Sequence, residues 1–330
     1  TLITTPTIWG TDSETLGHSQ PFENLLFRSN FQAKADYSRT FDKHRVGGAL
    51  IYDMQSVNRN GRNNSQKNLS VLMNATYTYD DRYTLNAVFN RSGSAYLPDG
   101  DKFANYPAIS AAWIVSNEAF MEKITPINIF KIRASYGLSG WDGNLSHELW
   151  RQSYGYAAGY NFGENAGSVS GGSEGNLPVV GLVAEKSQKA TFGFDLSALN
   201  NRLNATVEGF YEKRSDILVS GANSTSGIIG VTVGQVNEGI YKYRGFDASL
   251  NWNDKAGDFH YSIGATMSYL NSEVVNVNQA YQEYDYLYTK GNRVGQMYGL
   301  EAIGFFNSQQ EINNSPQQTF SGIAPGDVKY

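Results

Sequence analysis

The chain contains no cysteine among its 330 residues. Disulfide bonds, thiolate metal sites and cysteine nucleophiles are therefore all excluded, and stability has to come from hydrogen bonding and burial. Long hydrophobic runs are missing too, because the longest apolar clusters, such as 111–115, fall far short of the roughly 18 residues that a membrane-spanning helix needs. A helical membrane protein is thus excluded, whereas a barrel strand needs only about 9 to 11 residues and turns half of them away from lipid.

Charge is also sparse. Charged residues make up 17% of the chain, compared with about 25% in an ordinary soluble domain. The net charge of −5 argues against nucleic acid as a partner, because phosphate binding calls for a basic surface. The abundant residues are instead aromatic and small polar ones, including 22 Tyr and 17 Phe. This mixture favours pleated strands joined by polar turns.

Apolar and polar residues alternate along about eleven runs, most of them longer than the usual soluble strand of about 5 to 6 residues. Such alternation predicts antiparallel strands with one apolar and one polar face. Taken alone it fits both a membrane barrel and a soluble β-sandwich. The clearest runs lie at 31–38, 46–54, 69–79, 83–89, 130–139, 190–196, 203–211, 246–252 and 259–269.

The connections between these runs alternate in length. Short turns are expected at 40–43, 80–82, 199–201 and 253–258, with a connection of middling length at 117–127. Long polar loops are expected at 57–67, 91–104, 140–185, 215–238 and 271–293. An up-and-down barrel produces this order, since one rim carries turns and the other carries long loops. An open sheet edge cannot face hydrocarbon. We therefore predict an all-β, transmembrane, antiparallel up-and-down β-barrel, with about eleven strands of a larger closed barrel.

Several segments resemble the SusC/RagA family of TonB-dependent transporters from the outer membranes of Bacteroidota. Residues 106–121 read YPAISAAWIVSNEAFM, similar to the family pattern FPS.S.AW..SNE.FM. Residues 130–140 read FKIRASYGLSG, similar to LKLR.SYG.TGN. Further matches lie at 237–247, 291–299 and 325–330. Two departures fall in loops: 91–94 lacks the acid of R.DGS, and Trp141 stands where Asn is usual.

The resemblance implies a function and a set of partners. Residues 1–330 would be a barrel segment, with the plug domain and TonB box absent from this chain. The whole transporter would import a large nutrient, a glycan or a peptide, without performing chemistry on it and without a cofactor. Its partners would be outer-membrane lipid, a SusD-like lipoprotein lid and TonB, which acts through the missing N-terminal part. The alternative is a soluble or cell-surface β-sandwich that binds carbohydrate or acts as an adhesin.

Catalytic and metal-binding patterns are absent from the sequence. The four histidines, His18, His44, His147 and His260, lie far apart without a helix-spaced partner, so no metal site is expected. The glycine-rich stretch 163–175 lacks a Lys-Ser/Thr phosphate cradle and is predicted to be a flexible loop.

Aromatic residues in two of the long loops are the ligand-binding or lid-docking candidates, because binding is usually placed in loops on a rigid scaffold. The same rings could instead pack these loops onto the barrel rim. The candidates are Trp141, Trp150, Tyr154, Tyr156, Tyr160, Tyr281 and Tyr284.

Charged residues on the polar side of the predicted strands are the candidates for lining the lumen, where they would face the plug or the passing solute. The alternative is a solvated interior with internal ion pairs. These candidates are Lys131, Arg133, Asp195, Glu208 and Asp247.

Overall fold

A computed structural model describes residues 26–59, 65–163, 167–224, 226, 228, 230–231, 233–319 and 322–330. The strands are β1 (Leu26–Phe41), β2 (His44–Arg59), β3 (Gln66–Tyr79), β4 (Tyr83–Ser94), β5 (Phe103–Ile114), β6 (Ile127–Trp141), β7 (Tyr154–Phe162), β8 (Gly167–Glu174), β9 (Glu185–Ala198), β10 (Leu203–Ser220), β11 (Gln235–Ala256), β12 (Phe259–Asn276), β13 (Gly304–Phe305) and β14 (Val328–Lys329). One α-helix spans Gln309–Asn314, and short 3-10 turns span Val115–Asn117, Ala119–Met121, Ala222–Ser224 and Asp285–Leu287.

Ten strands form one antiparallel sheet in the order β1-β2-β3-β4-β5-β6-β9-β10-β11-β12. The sequential order confirms the predicted all-β, up-and-down arrangement. The sheet holds ten strands where about eleven were predicted. It is open, because within the described ranges β1 and β12 each pair with a single neighbour.

The apolar face of the sheet is its exposed face. In β4, Tyr83, Leu85 and Phe89 are exposed, whereas the alternate residues Thr84 and Asn86 are half-buried. The second half of β3 shows the same pattern, since Met73, Ala75, Tyr77 and Tyr79 are exposed and Asn74, Thr76 and Thr78 are half-buried. In β5 the exposure also alternates, with Ile109 and Trp113 on the exposed face. A β-sandwich would bury the apolar face against a second sheet. No element of the described chain covers that face, so the sandwich is not favoured.

Strands extend further into the long-loop side than the sequence predicts. β11 has 22 residues and β12 has 18, because the backbone ladder continues where the side-chain alternation has already faded. The glycine-rich stretch, expected to be a loop, includes β8, which pairs with β7 in a separate hairpin. That prediction was wrong because glycine removes the alternation signal without preventing backbone pairing.

The short turns lie along one rim of the sheet, where four backbone hydrogen bonds link each connection to the next one or to the strand beside it. The middling connection at 117–127 lies on this edge, as predicted. The four N–H to O=C bonds are Asp80 to Lys43 (2.7 Å), Ile114 to Arg82 (2.7 Å), Leu199 to Pro126 (2.7 Å) and Asn253 to Arg202 (2.8 Å). Backbone bonds therefore link the short-turn rim from the β1–β2 turn to β11.

Glu118 ties this rim together through its side chain. Its carboxylate accepts hydrogen bonds from the Tyr83 hydroxyl at 2.6 Å, the Trp113 indole N–H at 3.0 Å and the Arg82 guanidinium at 3.2 Å. These donors come from the β3–β4 turn, β4 and β5. Glu118 itself lies in the β5–β6 connection and therefore joins that connection to all three. The SNE motif therefore has a structural role, in which Glu118 acts as a shared acceptor for two rim aromatics and one cation.

No helix in the described parts of the chain is long and apolar enough to cross a membrane.

We expect Glu118→Gln to weaken the rim. The hydrogen bonds from Tyr83 and Trp113 hold the pKa of the Glu118 carboxyl below its ordinary value. Its stabilising contribution is therefore full above that ordinary value and is lost as pH falls through the lowered pKa. Urea unfolding of the detergent-solubilised protein should show a lower midpoint for Glu118→Gln at neutral pH, with the difference shrinking in acid. Glu122→Gln, at an exposed carboxylate in the same connection, is the control. Equal midpoints for Glu118→Gln and Glu122→Gln would contradict the assigned role.

Candidate functional site

An ion network crosses the polar face of three neighbouring strands. On β6, the Arg133 guanidinium lies 3.4 Å from the Asp195 carboxylate of β9 and is also paired with Glu208 of β10. Lys131 approaches Asp195 to 3.7 Å, and the Thr206 hydroxyl donates to Asp195 at 3.2 Å. Four of the five charged candidates are thus brought together in one network.

The register of the sheet explains how Arg133 reaches across two strands. Arg133 and Glu208 both pair with Gly193, which lies between them on β9. A Cβ at Gly193 would lie only 2.6 Å from the Val207 carbonyl oxygen and 3.2 Å from the Glu208 Cβ. Glycine therefore leaves open the space over β9 through which the guanidinium reaches Glu208.

Asp247, the fifth charged candidate, lies on β11 directly opposite Glu208. Two carboxylates facing each other across a ladder repel one another. Each has its own donor, since Arg133 pairs with Glu208 and the Ser268 hydroxyl donates to Asp247 at 2.5 Å. Around this network, the cations therefore lie on β6 and the carboxylates lie on β9, β10 and β11.

On the opposite edge, the long loops build a small core of their own. The Leu182 side chain is fully buried, with 0% exposure. Trp150 packs against this core, and the Arg151 guanidinium lies 4.4 Å from the centre of the Trp150 ring. For Trp150 the packing interpretation therefore fits better than ligand contact. The buried members of this core are Leu97, Leu145, Val179, Leu182 and Ala184.

The other aromatic candidates of this region remain accessible. On the β7–β8 hairpin, Tyr154 is 75%, Tyr156 is 95% and Tyr160 is 70% exposed. Trp141, at the end of β6, is 56% exposed, and its ring lies beside Gly143. Of the five aromatic candidates in this loop, Trp150 is therefore packed and the other four are accessible. The spacing of these residues in the sequence does not reveal that difference.

The second aromatic loop follows β12. Tyr281 is 85% exposed. Tyr284 stacks on Tyr286, with ring centres 5.6 Å apart and planes at 15°. The Tyr288 hydroxyl accepts from the Gln282 backbone N–H at 3.0 Å. Tyr281 and Tyr284 therefore lie in a partly self-packed loop, well separated in sequence from the β7–β8 hairpin.

Asn237 has a role that sequence reasoning missed. Its side-chain amide accepts from the Val183 N–H at 3.2 Å and donates to the Val183 carbonyl at 3.1 Å. The same Nδ2 donates to the Asp216 carbonyl at 2.7 Å, beside a bulge in β10. Asn237 thus fixes the end of the long 142–184 loop to the sheet, next to buried Leu182. Residues 237–239 belong to a stretch that resembles the family pattern, but that resemblance did not indicate what Asn237 does.

The histidines are dispersed. The His44 ring contacts the Tyr79 ring at a centre distance of 5.0 Å and a tilt of 51°, His147 lies 3.7 Å from Glu148, and His260 lies 3.2 Å from the Asp258 carbonyl. His18 falls outside the described residues. Within the described part of the molecule, no three acidic or histidine side chains are grouped to hold a metal ion.

Comparison with known proteins places this architecture in a family. The sequence model described as "TonB dependent receptor-like, beta-barrel" matches residues 4–330. TonB-dependent receptor P39 of Formosa agariphila is 27% identical over 244 residues, covering 73% of this chain and 22% of that protein. TonB-dependent receptor SusC of Bacteroides thetaiotaomicron is 21% identical over 227 residues, covering 66% of this chain and 22% of SusC. The chain spans about a quarter of the length of these curated relatives.

Solved structures agree on the fold. The chain matches a structure of the RagAB peptide transporter with a TM-score of 0.66 and 17% identity, over 76% of this chain and 30% of that one. It also matches the RagAB peptide importer in its closed-closed state with a TM-score of 0.64 and 18% identity, over 75% and 30% of the two chains. The resemblance to SusC/RagA-type transporters that the motifs indicate is confirmed by these relatives. The chain belongs to the TonB-dependent receptor β-barrel family.

Proposed function

We propose that this chain forms part of the wall of an outer-membrane importer that takes up a large solute by a TonB-dependent mechanism. The exposed apolar face supports this function most directly. A row of exposed rings and aliphatic side chains with no covering layer suits a sheet that borders lipid. The opposite face is polar and suits a wet interior.

In this proposal the residues of 1–330 belong to the barrel, and the plug and TonB box lie elsewhere in the parent protein. Unpaired strand edges cost several kcal/mol per polar group in hydrocarbon, so further strands would close the sheet. About 22 strands enclose a plugged lumen in transporters of this kind. The family is typical of Gram-negative outer membranes, and the relatives in Formosa and Bacteroides favour a Bacteroidota source.

The ion network on the polar face would border the plug or the path of the solute. Lys131, Arg133, Asp195 and Glu208 are between about a quarter and two-fifths exposed, so they are open to a docking segment while already paired with one another. A plug segment could exchange these ion pairs at modest cost, since partly solvated pairs contribute little individually. Asp247 extends the anionic side of the same surface.

A SusD-like lipoprotein lid would contact the long-loop rim. The β7–β8 hairpin offers three exposed tyrosines there, and isolated two-stranded hairpins are marginally stable in water. Tyrosine supplies a large contact area at low entropic cost and is enriched in protein interfaces. The solute would be a glycan or a peptide, in keeping with the transporters to which the chain is similar, and no chemistry would be performed on it.

The lipid-facing assignment predicts a difference between two adjacent residues of β5. Ile109 is 51% exposed on the apolar face, whereas Ser110 is half-buried on the polar face. A charge near the middle of a lipid-facing strand costs about 2–4 kcal/mol. Ile109→Arg should therefore reduce the folded, heat-modifiable form in outer-membrane fractions, and Ser110→Glu, which places a charge beside Lys131 and Arg133 on the polar face, should be tolerated. The lipid assignment fails if Ser110→Glu is the more harmful change.

The transport role is tested in the source bacterium. Deletion of the parent gene should abolish uptake of one labelled glycan or peptide class, and a plasmid-borne copy should restore it. Uptake through the restored protein should also stop when TonB is removed, because the import energy comes from that coupling. Uptake that continues without TonB, or a protein recovered in the soluble fraction without detergent, would contradict the proposal.

The lid contact is tested by exchanging one tyrosine of the hairpin. Tyr156→Ser, at a ring that is 95% exposed, should weaken binding of a SusD-like lipoprotein from the same organism by about tenfold, since aromatic anchors dominate such interfaces. Tyr281→Ser, in the other long loop, provides a control of equal chemistry. The measurement is co-purification in detergent followed by a binding titration. If only Tyr281→Ser weakens binding, the lid contacts the second aromatic loop instead.

A further inference from the structure

The apolar face of the sheet ends in a group of basic side chains on β10 and β11, on the side of the long loops. Tyr211 pairs with Arg244 across these two strands, and two residues further on Lys213 pairs with Lys242. Side chains two residues apart on a strand share a face. The rings of Tyr211 and Phe246 are exposed on the apolar face. Lys213, Lys242 and Arg244, here called the basic cluster, therefore continue that face.

The pairing of Lys213 with Lys242 places two like charges directly opposite one another. Side chains in such positions have Cβ atoms about 4.5–5.5 Å apart, and like charges there destabilise a sheet. Arg244 adds a third positive charge at the next position of the same face. The basic cluster thus concentrates positive charge against the preference of the sheet, and an anion bound at this surface would relieve the repulsion.

Neighbouring side chains compensate only part of this charge. Glu273 of β12 lies opposite Lys242, so three cations face one carboxylate. Lys186 of β9 is paired with Asp216 at 2.9 Å and adds no net charge. Because β10 and β11 are each paired on both sides, a strand added beyond β12 would lie about 10 Å from β11. The excess of positive charge is therefore a property of these paired strands.

The basic cluster surrounds a small depression. A cavity of about 130 Å³ is lined by Lys242, Arg244, Tyr211, Asn271 and Glu273. Lysine and arginine donate charge-assisted hydrogen bonds to phosphate oxygens, and the arginine fork matches phosphate geometry. The depression therefore suits one phosphate-sized group held from the exposed side of the sheet.

The height of the basic cluster matches one border of a membrane-sized apolar band. Arg244 lies eight residues from Trp252, which lies near the short turns, so roughly 27 Å of antiparallel strand separates them. At the usual tilt of about 35–45° this corresponds to roughly 20 Å of height, and the apolar band of a barrel is about 25 Å tall. Phe246 and Tyr269 stack directly below Arg244, with ring centres 5.9 Å apart, as in an interfacial aromatic girdle.

We propose that the basic cluster binds the phosphate of a glycolipid headgroup in the outer leaflet of the outer membrane. Long loops are extracellular in such barrels, so this border meets the outer leaflet, in which phosphorylated glycolipids are the abundant anions. The stems of Lys213 and Lys242 extend over apolar surface while their ammonium groups reach the headgroup level. The choice of a lipid as the source of the phosphate rests on the proposed function.

The test uses the full-length protein, purified in a neutral detergent, and measures lipid binding by native mass spectrometry. Monophosphorylated lipid A is compared with its dephosphorylated form. The phosphorylated form should bind at least about tenfold more tightly, because each basic side chain near an anionic lipid surface contributes about fivefold. Inorganic phosphate in excess should not displace it, because the acyl chains contact the apolar band as well. Equal binding of the two lipids, or displacement by inorganic phosphate, overturns the inference.

The variants separate this face from the polar one. Lys242→Gln should weaken binding of the phosphorylated lipid about fivefold, and Lys213→Gln/Lys242→Gln about twentyfold. Lys189→Gln is the matched control, because it removes the same charge from the polar face of β9, where the Lys189 Nζ lies 5.2 Å from the centre of the Phe210 ring. It should leave lipid binding unchanged. Lipid binding that survives the double variant, or that falls equally in Lys189→Gln, overturns the inference.

Melting in lipid-free detergent tests the repulsion independently. The double variant should melt no lower than the unmodified protein, because it removes two like charges that face each other. A lower melting temperature contradicts the inference, as does a change of oligomeric mass, which would assign the face to a contact between two barrels. TonB-dependent uptake does not require this headgroup contact. A negative result here therefore leaves the transport proposal standing, whereas a protein that is soluble without detergent overturns that proposal.

Discussion

Backbone hydrogen bonding is the constraint on which the rest of this structure depends. When apolar side chains cover the outer face of a sheet that borders lipid, every N–H and C=O of the strands must find a partner within the sheet. Sequential antiparallel pairing achieves this with the shortest connections. Because side chains alternate along each strand, the pairing also gives the sheet one apolar face, suited to lipid, and one polar face, suited to water. The register of this pairing also places Arg133, Gly193 and Glu208 in one row across three strands.

The short-turn rim and the long-loop rim of the sheet are stabilised in different ways. Along the short-turn rim, backbone bonds link neighbouring connections, and Glu118 accepts hydrogen bonds from one turn and two strands. Backbone groups at this edge are thereby satisfied by neighbouring turns. Along the opposite rim the long connections bury Leu182 in a separate small core. Asn237 couples that core to the sheet because its amide imitates a strand partner for Val183.

The sequence predicts the strands of the main sheet, their order and the side of each connection, because alternation and turn length are local signals. The ion network of β6, β9 and β10 was also predictable in kind, since polar-face charges of opposite sign fall on predicted strands. Partners within the loops were not predictable. Trp150 packs inward while Tyr156 is exposed, although both lie in one aromatic, glycine-rich stretch. That difference depends on contacts between β4–β5 and β6–β9 loops, which are distant in sequence.

A cavity of about 290 Å³ beside Tyr106 shows a further limit of local signals. Its lining includes Asn68, Asn90 and Asp142, which come from β3, β4 and the residue after β6, and each alone resembles an ordinary polar position of a barrel strand or rim. Only the register brings these residues to the lining of one space, and only the missing side chain at Gly140 leaves room for the Tyr106 ring in its wall. Such a space is therefore a property of the paired sheet, and no single strand of the sequence predicts it.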